Sequence, residues 1–165
     1  METTIQEKIC GLLDRLDITY QSLDHAPVMT MEEGLERASI LGFTPCKSLF
    51  LCNKQQEYFM VLLPADKKFS AKNVTKQIGC PHLSFASKEA MEEILLTSPG
   101  AVSVLGLIHD KNNRVQLLID KDIADTVYIG CHPGINTCSL KIKVVDILNV
   151  FLPEIRHGNY KVIEI

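Results

Sequence analysis

The sequence predicts an α+β fold, helices packed on a mixed, mostly antiparallel sheet, and three observations carry that expectation. Residues 5–16 place Ile5, Ile9, Leu12, Leu13 and Leu16 at helical spacing. Two pairs of apolar runs, 46–52 with 58–63 and 127–129 with 138–142, flank short polar stretches as paired strands do. Thr30-x-x-Glu33, Ser70 and Ser87 each stand at a helix-capping position before an amphipathic segment. With 165 residues, the span 1–165 reads as a single domain able to bury its own core.

Taken in order, the opening helix over 5–16 is followed by an alternating strand at 18–23, which Asp24-His25-Ala26-Pro27 breaks. The capping box at Thr30 and Glu33 starts a short helix over 31–41, ended by Gly42. The runs CKSLFLC and YFMVLL are nearly continuous in apolar character, as strands buried on both faces are. Ser70 caps a helix to Ile78, with Gly79 beyond it, and Ser87 opens another over 88–96 after a short strand at 83–86. Residues 104–108 and 115–119 read as a further strand pair around Asp110-Lys111-Asn112-Asn113. A helical turn at Lys121-Asp122 precedes the strand at 127–129. The chain then runs through 140–144 into a final helix over 145–152, stopped by Pro153, and an edge strand over 160–165.

Several residues stand out chemically. Lys47 sits inside an apolar strand, where an ammonium must either snorkel out or serve a purpose. The loop 97–103, TSPGAVS, carries so little side chain that its backbone N–H groups could approach a ligand closely. His132 ends a strand next to Pro133, which holds its backbone extended. Gly134 can take positive φ, and Asn136 and Thr137 can bond neighbouring backbone or point toward a ligand. Lys67, Lys68, Lys72 and Lys76 fall within ten residues, the last three lining up on one helix face as a small phosphate-contacting patch or a solvated face. The net charge of −3 gives no global support for nucleic-acid binding. The cysteines at 10, 46, 52, 80, 131 and 138 form no C-x-x-C pair, so reduced, buried thiols are expected and no metal site. No P-loop or dinucleotide fingerprint is present, no cofactor is implied, and no apolar window is long enough to span a membrane. A chain that opens Met-Glu-Thr-Thr without signal-peptide architecture is expected in the cytoplasm.

An apolar strand carrying Lys47, a small-residue loop at Gly100 and His132-Pro133 before Asn136-Thr137 together resemble the YbaK/ProX (PrdX) family. These are aminoacyl-tRNA editing domains related to the insertion domain of bacterial prolyl-tRNA synthetase. The resemblance runs through nearly the whole chain, including the DHAP turn at 24–27, CKSLFL, LSFAS at 83–87 and GCHPGINTCSL. It implies hydrolysis of mischarged alanyl-tRNA(Pro), with a cysteinyl-tRNA(Pro) deacylase or a weakened aminoacyl-tRNA-binding module as alternatives. The partners implied are the tRNA(Pro) acceptor end and, as an open question, prolyl-tRNA synthetase. The family's lysine falls on Lys47, its loop glycine on Gly100 and its histidine on His132, while Val104 stands where its GxxxP motif has proline. The implied mechanism uses the Gly100 amide on the ester carbonyl, Lys47 on a phosphate or developing charge, and His132 on the ribose or water. Met29, Thr30, Leu49 and Ala101 are candidates to line an alanine-sized pocket that excludes the prolyl ring, and Lys68, Lys72 and Lys76 to contact tRNA.

Overall fold

The computed structural model describes residues 2–27 and 31–165, with Met31 described in its backbone alone. The opening helix, α1 (Ile5–Arg15), begins at a capping box that sequence reading passed over. Thr4 accepts the Glu7 N–H, and the Glu7 carboxylate accepts the Thr4 N–H. It leads into β1 (Tyr20–Asp24) and α2 (Met31–Leu41). The expected Thr30 half of the second capping box lies outside the described residues. The predicted hairpin forms as β2 (Cys46–Cys52) and β3 (Tyr58–Pro64), paired antiparallel from Cys46↔Pro64 to Cys52↔Tyr58. Next come α3 (Ala71–Ile78), capped by Ser70, then β4 (Ser84–Phe85) and α4 (Lys88–Leu95), capped by Ser87. The rest is β5 (Val115–Asp120), α5 (Lys121–Ala124), β6 (Tyr128–Cys131), β7 (Cys138–Lys143), α6 (Val144–Asp146), α7 (Leu152–Glu154) and β8 (Lys161–Ile163).

The strands form two sheets rather than one. β1-β7-β6 is antiparallel throughout. β4-β2-β3-β5-β8 is antiparallel across β4-β2-β3 and parallel across β3-β5-β8, so the fold is α+β with a mixed larger sheet. Strand alternation explains how that sheet is covered on both faces. Phe50, Met60, Leu62, Leu117 and Ile119 face the main core, which also takes Ile9, Leu12 and Leu13 of α1 and Leu140 and Ile142 of β7. Leu51, Val61, Leu63, Leu118 and Ile163 face the other way, onto Val74 of α3. Among the described residues the sheets are linked by the bridge Thr44↔Ile129, beside which the Cys46 thiol donates to the Gly130 carbonyl at 3.3 Å. That contact brings the start of β2 against the end of β6.

Three expectations are corrected. Residues 104–108 are not a strand but part of a 3-10 helix, Val104–His109, and β5 pairs in parallel with β3 instead. The Ser103 hydroxyl accepts the Leu105 N–H at 3.0 Å and winds the chain. Val104, Leu105, Gly106 and Leu107 are all buried, so no polar face betrays the helical period. Pro153 likewise does not end the last helix, which runs through 144–154. A π turn, Ile147–Phe151, precedes Pro153, and the Leu152 N–H reaches back five residues to Ile147. That wider winding makes room for a ring that would clash with the carbonyl four residues earlier in an α-helix. All six cysteines are free, but only Cys131 and Cys138 are buried, the others being half-buried. Among the described residues, no helix is long and apolar enough to cross a membrane.

Candidate functional site

The seam between the two sheets opens into a cavity of about 610 Å³. Lys47, Gly100 and His132, far apart in sequence, all line it, as does Leu49. Each is placed by its own local structure.

Lys47 is the second residue of β2, opposite Leu63 of β3, with no hydrogen-bond or ion-pair partner among the described residues. Gly100 occupies the third position of the turn Ser98-Pro99-Gly100-Ala101, closed by the Ala101 N–H on the Ser98 carbonyl at 3.1 Å. Proline second and a glycine at φ +93° third make this a type II turn. The turn uses the Ala101 amide, while the Gly100 N–H has no partner among the described residues and remains available to a ligand. Val104 opens the 3-10 helix directly behind it. Because Ser103 caps that helix, the turn is held without the proline of the family motif.

His132 follows β6, and its Nδ1 lies 2.8 Å from the Cys138 carbonyl. A carbonyl can only accept, so Nδ1 carries the proton and the neutral ring keeps Nε2 as a free acceptor. Burial lowers the His132 pKa below the ordinary imidazole value. The Cys138 bond opposes that shift, and the nearby His25 ring, with centroids 6.2 Å apart, adds to it. The ring therefore stays neutral at neutral pH. If the Nε2 acceptor is needed for turnover, kcat/KM should hold as pH falls through about 6.5 and decline only at lower pH. A pH–rate profile with its acid limb at or above the ordinary imidazole value would contradict this.

Sequence reasoning missed three residues here. Ser139 of β7 lines the cavity, and its hydroxyl donates to His25 Nε2 at 2.7 Å, since His25 Nδ1 donates to the Ala26 carbonyl at 2.8 Å. His25 lay in a stretch read only as a turn. The strand register Asp24↔Cys138, next to it, brings it beside Ser139. Arg37 of α2 also lines the cavity, and a lone arginine on a short helix carries no sequence signal. Gly130 completes the wall for a steric reason. A Cβ there would fall 2.3 Å from Cε2 of Phe43, whose ring lies on the Gly130 backbone. Cys131 stays a thiol, its contact with Cys46 and its burial both pushing its pKa well above the ordinary value.

The other predicted residues lie elsewhere. Ala101 is buried but does not line the cavity, and Asn136 and Thr137 are exposed outside it. Met29 and Thr30 fall outside the described residues. Lys68, Lys72 and Lys76 are exposed along α3 and just before it, while Lys67 is held by Asp120 at 2.7 Å and Asp122 at 2.9 Å. No group of three or more His, Cys, Asp or Glu able to hold a metal is found among the described residues.

The chain is similar to several known proteins. Prolyl-tRNA editing protein ProX of Acetoanaerobium sticklandii is 30% identical over 149 residues, covering 89% of this chain and 90% of its own. The prolyl-tRNA synthetase associated domain-containing protein 1 of Bos taurus is 25% identical, over 90% of this chain and 86% of its own. Hypothetical protein APE2540 shares the fold with a TM-score of 0.73 at 17% identity, covering 96% of this chain and 98% of its own. A candidate trans-editing enzyme for prolyl-tRNA synthetase does so with a TM-score of 0.70 at 15% identity, covering 99% and 98%. The family model described as the aminoacyl-tRNA editing domain matches residues 25–150, a span holding Lys47, Gly100 and His132 together. With well over half its length matched by that model, the chain belongs to the aminoacyl-tRNA editing domain family.

Proposed function

We propose that the protein is a trans-editing hydrolase that cleaves the ester of mischarged alanyl-tRNA(Pro), releasing alanine and reusable tRNA. The observation that carries this reading is the convergence of Lys47, the free Gly100 amide and the free Nε2 of His132 on one cavity. Its volume, about 610 Å³, suits an aminoacyl ester together with its terminal nucleoside. The names of its relatives support prolyl-tRNA as the class of substrate.

Aminoacyl esters are activated, so the work required is to position water and stabilise a developing oxyanion. The Gly100 N–H donates to the ester carbonyl, and the Lys47 ammonium stabilises charge as water adds. His132 Nε2 accepts from the attacking water or a ribose hydroxyl. Leu49 lines the cavity, and the reading assigns it to the acyl side, where it excludes a prolyl ring and admits an alanyl methyl. The cytoplasm is the compartment this substrate implies.

The test is to measure deacylation of alanyl-, cysteinyl- and prolyl-tRNA(Pro) by the purified protein. Rapid loss of the alanyl ester with the prolyl ester spared is the expected result. Preference for the cysteinyl ester would reassign the substrate, and binding without turnover of any ester would make this a binding module. Adding prolyl-tRNA synthetase to the same assay tests whether the two associate.

A path for the rest of the tRNA leads away from the cavity mouth. Phe85 is 67% exposed there, in ring contact with Phe69, which follows Lys68 and leads into α3. An exposed aromatic beside free lysines suits a single-stranded nucleic-acid end. Replacing Lys68, Lys72 and Lys76 together by alanine should flatten the log–log dependence of tRNA affinity on salt by about 2 to 3. An unaltered slope would remove the stripe from the interface.

A further inference from the structure

We propose that Arg37 is the phosphate-binding residue of this cavity, taking the phosphate on the 5′ oxygen of the terminal nucleoside whose ester is cleaved. The proposal rests on the deacylase reading and adds a binding subsite to it.

Arg37 projects from α2 into the cavity wall, and its Nη1 is shielded from solvent with no hydrogen-bond partner. It joins no ion pair among the described residues. Lys47 brings a second unpaired cation to the same cavity, and no aspartate or glutamate stands among the described lining residues. Arg37 is half-buried and its shielded Nη1 is an orphaned donor, which costs stability, and a second positive charge in the same cavity adds to that cost. Both costs are offset when an oxyanion enters. The planar fork of a guanidinium matches a phosphate with two parallel N–H···O bonds, a recognition that a single ammonium does not provide. Two substrate-derived oxyanions could fill this place, the terminal phosphate and the carboxylate of the released amino acid. The phosphate is favoured because it is present from the first encounter, when Lys47 and Gly100 are engaged with the ester.

The decisive measurement compares hydrolysis of 2′(3′)-O-alanyl-adenosine with that of the same ester bearing a 5′-phosphate, by wild type, Arg37→Gln and Arg37→Lys. Wild type should favour the phosphorylated ester about 10- to 100-fold in kcat/KM, mainly through KM. Arg37→Gln should bring that ratio toward 1, and Arg37→Lys should restore part of it. In the absence of ligand, Arg37→Gln should melt at the wild-type temperature or above, because no bond is lost and an unpaired charge is removed. A wild-type ratio in Arg37→Gln overturns the proposal. So does a change confined to product inhibition by alanine, which would assign the guanidinium to the carboxylate. If wild type hydrolyses neither ester, the deacylase reading is decided separately by alanyl-tRNA(Pro) itself. Binding of adenosine 5′-monophosphate then decides the subsite: loss of binding in Arg37→Gln supports it, and equal binding overturns it.

Discussion

Lys47→Ala is expected to lower kcat/KM for deacylation by about 10²- to 10³-fold, the range for removing one preorganised donor at a developing oxyanion. The protein should fold normally. Lys47 has no hydrogen bond or ion pair among the described residues, so alanine removes an aliphatic stem and a charge but leaves no partner stranded. The stability change should stay within about 1 kcal/mol. Lys47→Arg should recover only part of the rate, because a broad planar fork replaces a compact point charge within a strand hemmed by Leu49 and Cys46. Thermal melting beside steady-state kinetics separates the two effects. A wild-type rate in Lys47→Ala would remove the lysine from the mechanism, while a parallel collapse of rate and melting temperature would reassign it to the framework.

Much of this arrangement was legible before the structure, and the reasons differ from one element to the next. Lys47 was conspicuous because an ammonium in an apolar strand contradicts its surroundings, and a contradiction is a signal. Ser70, Gly79 and Ser87 set the boundaries of α3 and α4 because capping is local chemistry, written within a few residues. The run 104–108 was misread for the converse reason. Being buried all round, it has no period to read, and only the Ser103 side chain decides its winding. Asp110 looked like a residue of a hairpin turn. In the fold it accepts from the Arg114 and Val115 amides and lies 3.0 Å from His157 Nε2, a partner 47 positions away that no local pattern announces. The same limit hid Arg37, Ser139 and His25. Arg37 and Ser139 matter through the cavity they line and His25 through its bond to Ser139, and that cavity exists only once two separate sheets meet.

Gly134→Ala is expected to cost about 2 to 5 kcal/mol of stability and so to lower the melting temperature by about 5–15 °C. Two penalties combine there. Gly134 holds φ +84°, a left-handed backbone that costs a side chain about 1 to 2 kcal/mol. A Cβ would also fall 2.3 Å from Cγ2 of Ile5 and 3.4 Å from its Cβ. That methyl sits on a branched carbon next to the backbone of α1, so it cannot swing aside as the end of a long chain would, and the helix itself must give way. Gly100 is the control: its φ of +93° is similar, yet an added Cβ would meet nothing within 4 Å. Gly100→Ala should therefore carry the backbone penalty alone, and its larger effect should fall on turnover through the displaced amide. In Gly134→Ala, activity should decline well below the melting temperature, because the loop that packs on Ile5 also carries His132. A melting curve for Gly134→Ala that overlays Gly100→Ala would mean that the 132–137 loop does not rest on α1, and that His132 is held by its bond to Cys138 alone.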